Sequence, residues 1–119
     1  MSTRQEKVQE LLKEEISDIL RRELKDPRLG FVTITDAQVS PDMRHAKIFI
    51  SVLGAENVRK ENMAVLKKSE KYVRQMLAKR MRMRTVPEID FRFDESVDRG
   101  IKMLELLEKI KHEEENESS

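Results

Sequence analysis

The sequence predicts an α+β fold in which helices cover one face of a three-stranded mixed sheet. Three observations lead there. Segments 31–39, 45–53 and 88–94 are rich in β-branched or aromatic residues and alternate as strands do. Apolar residues recur at helical spacing before, between and after them. A short turn signal joins the first two strands, whereas a long helical stretch separates the second from the third. The first pair is therefore an antiparallel hairpin and the second a parallel crossover.

The first helix spans residues 4–25, where Val8, Leu11, Leu12, Ile16, Ile19, Leu20 and Leu24 repeat at helical spacing. Ser2 or Thr3 suits its N-cap, and Glu6 would complete a capping box with Thr3. Pro27 disfavours helical geometry at Asp26, so the helix should end near Lys25. In the strand FVTITDAQV the alternation changes parity between Ile34 and Ala37, and a bulge near Asp36 would restore one inward face. SPDMR, 40–44, reads as a turn. HAKIFISVL follows, with Ala46, Ile48, Ile50 and Val52 on one face and Phe49 and Leu53 on the other. Residues 56–84 contain neither Pro nor Gly and read as helical, with Leu66, Val73 and Leu77 on one stripe joined by Met76 and Met81. Ser69 interrupts that stripe, marking either a close contact or a break. A single helix of this length would be long for so small a domain, which favours a break at Ser69. EIDFRFD then alternates, with Ile89, Phe91 and Phe93 inward and Pro87 at the strand's entrance. Ser96 is a candidate cap for a last helix whose apolar side carries Val97, Ile101, Leu104, Leu106, Leu107 and Ile110.

The length of 119 residues suggests one domain. The division expected is a compact unit over 1–96, a helical extension over 97–112 and a disordered acidic tail over 113–119. Charged residues make up 39% and aromatics 4%, so a thin aliphatic core is expected, with the four Phe its largest pieces and the Met its filler. Cysteine is absent, which excludes a disulfide frame and thiolate metal sites. The longest uncharged stretch, Ile48–Ala55, is too short to cross a bilayer. A soluble cytoplasmic protein is expected, and no sustained heptad argues against a monomer.

The formal net charge of +1 hides a separation. Lys67, Lys68, Lys71, Arg74, Lys79, Arg80, Arg82 and Arg84 face Glu70 alone, while acids dominate from Glu105 onward. Such asymmetry says more about partners than the sum does. A one-signed helix face is either solvated or meets a polyanion, and here the excess points to RNA, bound with counterion release. Arg80 and Arg84 fall towards the apolar side of the wheel. They either snorkel across the core edge, or the helix ends near Arg82 and Arg84 swings outward. Tyr72 could stack on a base, but a partly buried packing role is the default.

The stretches LKDPRLGFVTIT, VSPDMRHAKIFIS and RMRMRTVPEIDF, in that order, resemble the signature regions of the bacterial ribosome-binding factor A family. The resemblance runs from about Arg4 to Leu104. It implies a type II KH-like fold, αββααβ, with a C-terminal helix added here. It further implies binding to the small ribosomal subunit and its rRNA, help in late maturation of that rRNA, and a role in cold growth. KH domains place a GxxG loop between paired helices. The resembled family shows an Ala-x-Gly kink instead, and this chain has Ser69-Glu70-Lys71. Without GxxG, the usual KH clamp on four nucleotides does not carry over.

Other chemistry is thinly supported. Ser40, Asp42 and His45 are close in sequence, but a triad is defined by geometry, and Asp42 more naturally fixes a turn. His112 beside Glu113 is no metal site. No phosphate loop or dinucleotide fingerprint is present. The chain reads as non-enzymatic, without cofactor, metal or small-molecule substrate, and with no membrane partner. The alternative function is an adaptor that docks proteins through its terminal helix.

Overall fold

The computed structural model describes residues 3–24, 26–83 and 85–117. Its elements run α1 (Arg4–Arg22), β1 (Val32–Val39), β2 (His45–Val52), α2 (Glu56–Arg80), β3 (Glu88–Phe93) and α3 (Glu95–Glu117). β2 is central, antiparallel to β1 and parallel to β3, which is the mixed sheet expected. Ile34 pairs with Ile50 and Asp36 with Phe49, so Thr35 is the extra residue of a bulge. The bulge returns Ala37 and Val39 to the inward face, where both are buried.

Thr3 Oγ1 accepts from Glu6 N at 3.1 Å and Glu6 Oε2 accepts from Thr3 N at 3.3 Å, closing the capping box on α1. Leu12, Ile16 and Ile19 are wholly buried, while Leu11 turns outward. The helix stops at Arg22, short of the expected end; Lys25 lies outside the described residues. α1 packs over β1 and α2 over β3, with the two helices touching. Between them and the sheet lie Ile48, Ile50, Leu66, Val73, Leu77 and Phe91. Of the four Phe only Phe91 is a core piece in full, and Phe31 is exposed. Met81 joins the core, whereas Met103 stands exposed on α3 rather than filling a cavity.

The expected break at Ser69 is absent. α2 runs unbroken for 25 residues, and Ser69 Oγ donates to Val65 O at 2.8 Å, one turn back. A serine that satisfies its hydroxyl this way stays within the helix. The observed order is therefore αββαβα, with one long helix where the resemblance implies two.

Asp94, not Ser96, caps α3. Its Oδ1 accepts from the backbone N of Ser96 and Val97 and from the Ser96 hydroxyl. Its Oδ2 accepts from the Thr35 hydroxyl at 2.6 Å, and its N donates to Ile50 O. These bonds, Ser96's foremost, hold the Asp94 carboxyl below the usual range. α3 continues past His112 to Glu117, so the expected boundary between helix and tail does not fall there. Ile101, Met103, Leu104, Leu106, Leu107 and Ile110 are all exposed along it.

Candidate nucleic-acid interface

α2 presents three sides. Its core line consists of Asn62, Leu66, Val73 and Leu77. Asn62 is polar, yet both halves of its amide are used: Oδ1 accepts from Gly30 N at 2.7 Å, and Nδ2 donates to Val58 O. This ties the loop before β1 to the helix. Nothing in the hydrophobic periodicity singles this residue out.

The second side lies along β3, one of the two edge strands of the sheet. Lys67 pairs with Asp90 and, at 3.8 Å, with Glu70. Glu70 Oε2 accepts from Phe91 N at 3.1 Å. Arg74 donates from Nε and Nη2 to Val86 O, at 3.2 and 3.0 Å. These contacts supply partners to backbone groups that the edge of a sheet leaves open. Burial pushes the Glu70 carboxyl up, opposed by the Phe91 amide and Lys67.

Arg80 is pinned on the opposite flank. Its guanidinium donates to Asp18 at 2.6 Å and lies 3.4 Å from both Glu15 and Glu23. The Arg80 hydrogen bond, followed by that of Arg21, holds the Asp18 carboxyl below its usual range. Neither reading from the sequence anticipates this: Arg80 bridges two helices instead of snorkelling. The chain leaves the helix at Met81, which is extended and buried, and Arg82 then points outward. Arg84 lies outside the described residues.

The third side faces solvent. Lys68, Lys71, Tyr72, Gln75 and Lys79 are exposed there, followed by Arg82 beyond the helix end. At about 100° per residue the five helical positions share a sector roughly 100° wide, and Lys68 and Lys79 lie about 16 Å apart along the axis. Among the described residues no carboxylate pairs with Lys68, Lys71, Lys79 or Arg82. Asp26 feels the charge of Lys68, but its oxygens already accept from Arg28 N, Nε and Nη2, and its carboxyl lies at about 2. Of the eight cations predicted to meet RNA, Lys67, Arg74 and Arg80 are thus held by the protein itself. Lys68, Lys71 and Lys79 are presented together, and Arg82 is exposed just beyond the helix end. Finding the division requires knowing where β3 and the acids of α1 lie, which sequence spacing does not give.

The hairpin turn is structural. Ser40 Oγ donates to Asp42 at 2.6 Å and accepts from His45 N, while Asp42 also accepts from Arg44 N. Asp42 fixes the turn and the serine hydroxyl is aimed at it, so the arrangement is no triad. Met43 adopts φ 62°, in the left-handed region, where this turn reverses.

Comparison with known proteins gives this geometry a family. A relative from Halothermothrix orenii named ribosome-binding factor A is 52% identical over 108 residues, covering 91% of this chain and 88% of its own. A Thermotoga maritima structure described as a ribosome binding factor A superposes with a TM-score of 0.66 at 32% identity, over 72% of this chain and 82% of that one. A homology model of the Thermus thermophilus ribosome binding factor A, fitted into a cryo-EM map of its 30S complex, shares the fold. Its TM-score is 0.61 at 24% identity, over 73% of this chain and 91% of that one. The family profile described as "Ribosome-binding factor A" matches residues 4–107, and this chain belongs to that family.

Proposed function

We propose that this chain is a cytoplasmic, non-catalytic ribosome assembly factor. It binds the small ribosomal subunit through its rRNA and assists late maturation and processing of that RNA, with a role that grows in the cold. It acts as a monomer. Support comes from family membership, from the small-subunit complex of the Thermus thermophilus relative, and above all from the outward stripe of Lys68, Lys71, Lys79 and Arg82. Cations with no carboxylate to displace gain the most from a polyanion, because the only exchange is counterions for phosphates. No helix is long and apolar enough to cross a membrane among the described residues.

Co-sedimentation tests this. The wild-type chain is expected with small subunits at low salt and is released as salt rises. The triple reversal K68E/K71E/K79E should abolish co-sedimentation while leaving thermal unfolding unchanged. Normal co-sedimentation of that variant would remove the stripe from the docking site.

The apolar residues left exposed along α3 favour a second reading, in which α3 recruits a protein partner. Truncation before Glu95 separates the two: RNA binding survives it, whereas protein docking does not.

A further inference from the structure

Tyr72 stands inside the basic stripe, one helical turn after Lys68 and seven residues before Lys79. The partial burial expected from the sequence is present, yet the side chain remains 39% exposed. Among the described residues its ring meets no aromatic or cation, and its hydroxyl makes no hydrogen bond. It is the one aromatic residue on α2 and the single Tyr of a chain without Trp. Residues three and four apart on a helix have Cβ atoms about 5–6 Å apart. Lys68 and Gln75 therefore flank the ring, and Lys79 continues the line.

An aromatic face between cations with no acidic partner suits one ligand class. Phosphates are drawn to the lysines, and a base released from pairing can lie on the ring. A duplex hides its base faces within its own stack, and an RNA helix is met through backbone and shape. Gln75, with an amide donor and acceptor at hand, can reach the edge of a base placed on Tyr72. We propose that the stripe takes an unpaired segment of RNA, such as a loop, junction or strand end, with one base stacked on Tyr72 and neighbouring phosphates on Lys68, Lys71 and Lys79. This rests on the RNA-binding reading above and adds the strandedness of the RNA and the residue that senses it.

The single tyrosine supplies a direct probe. Titrating the whole chain with a short single-stranded RNA should quench intrinsic tyrosine fluorescence, which reports Tyr72 alone. By anisotropy of the labelled RNA, Tyr72→Leu should weaken single-strand binding about five- to tenfold, the low end of what stacking one base contributes. Tyr72→Phe should keep the affinity, and Tyr72→Leu should leave binding to the matching duplex unchanged. Thermal unfolding should be the same for all three proteins. Single-strand affinity undiminished in Tyr72→Leu, or loss of equal size on the duplex, would overturn the stack while leaving the basic stripe intact. Absence of salt-sensitive binding to either RNA by the wild-type chain would sink the RNA reading itself, and the stack with it.

Discussion

Arg74 and Lys71 lie three residues apart on the same helix, carry the same charge and do different work. Arg74 gives two hydrogen bonds to Val86 O beside β3, whereas Lys71 faces solvent with no carboxylate beside it. Lys67 and Arg80 follow Arg74; Lys68, Lys79 and Arg82 follow Lys71. The difference lies in what each flank of α2 faces. The flank over β3 meets an open strand edge, and the flank over α1 meets Glu15, Asp18 and Glu23. A cation paired with a carboxylate must give up that partner to a phosphate, and a guanidinium seated on a carbonyl is fixed in place by it. Counting cations along the helix therefore overstates the charge available to a partner.

The contrast can be broken by substitution. The largest expected effect on the fold is that of Arg74→Ala, which strips Val86 O of a charged donor. A loss of about 1.5–3 kcal/mol in urea unfolding is expected, with RNA affinity nearly unchanged. Equal loss of stability from Lys71→Ala would erase the distinction. Lys71→Glu should do the reverse, weakening RNA binding about tenfold, roughly 1.4 kcal/mol, while unfolding stays within about 0.5 kcal/mol of wild type. Its salt dependence should also be shallower, since each phosphate contact contributes to the slope.

The smallest effect is in the acid limb of stability. Asp18, Asp26 and Asp94 have folded pKa values below their ordinary ones. Their contributions are present above about pH 4 and are lost as the pH falls through the folded values, for Asp26 about 2. Glu70 has the opposite sign: raised in the fold, it opposes folding when ionised, and acid relieves it. Arg80→Ala removes the leading cause of the Asp18 shift. It should lower stability at neutral pH and flatten the decline below about pH 4, measured by urea unfolding across the acid range. An unchanged acid limb would mean that Arg80 does not hold Asp18 in solution.

Local chemistry made much of the fold legible. Thr3 and Glu6 announce the start of α1, the parity change between Ile34 and Ala37 places the bulge within one residue, and EIDFRF alternates as β3 does. Ser69 was opaque because its spacing fits a helix break and a back-bonded hydroxyl equally well. Ser96 drew attention as a cap, but Asp94 has two oxygens and reaches Thr35 as well. The basic site was legible only as a composition. The pairing of Lys67, Arg74 and Arg80 with acceptors follows from contacts 12 to 65 residues distant along the chain.

The row formed by Lys67, Glu70 and Arg74 has one more consequence. A peptide or a second copy seeking to extend the sheet beyond β3 would find the Phe91 amide occupied and a charged fence in front of it. Adding a strand there would require displacing the Glu70 carboxylate from the Phe91 amide. That border is thereby guarded against β-augmentation and the polymerisation that follows from it.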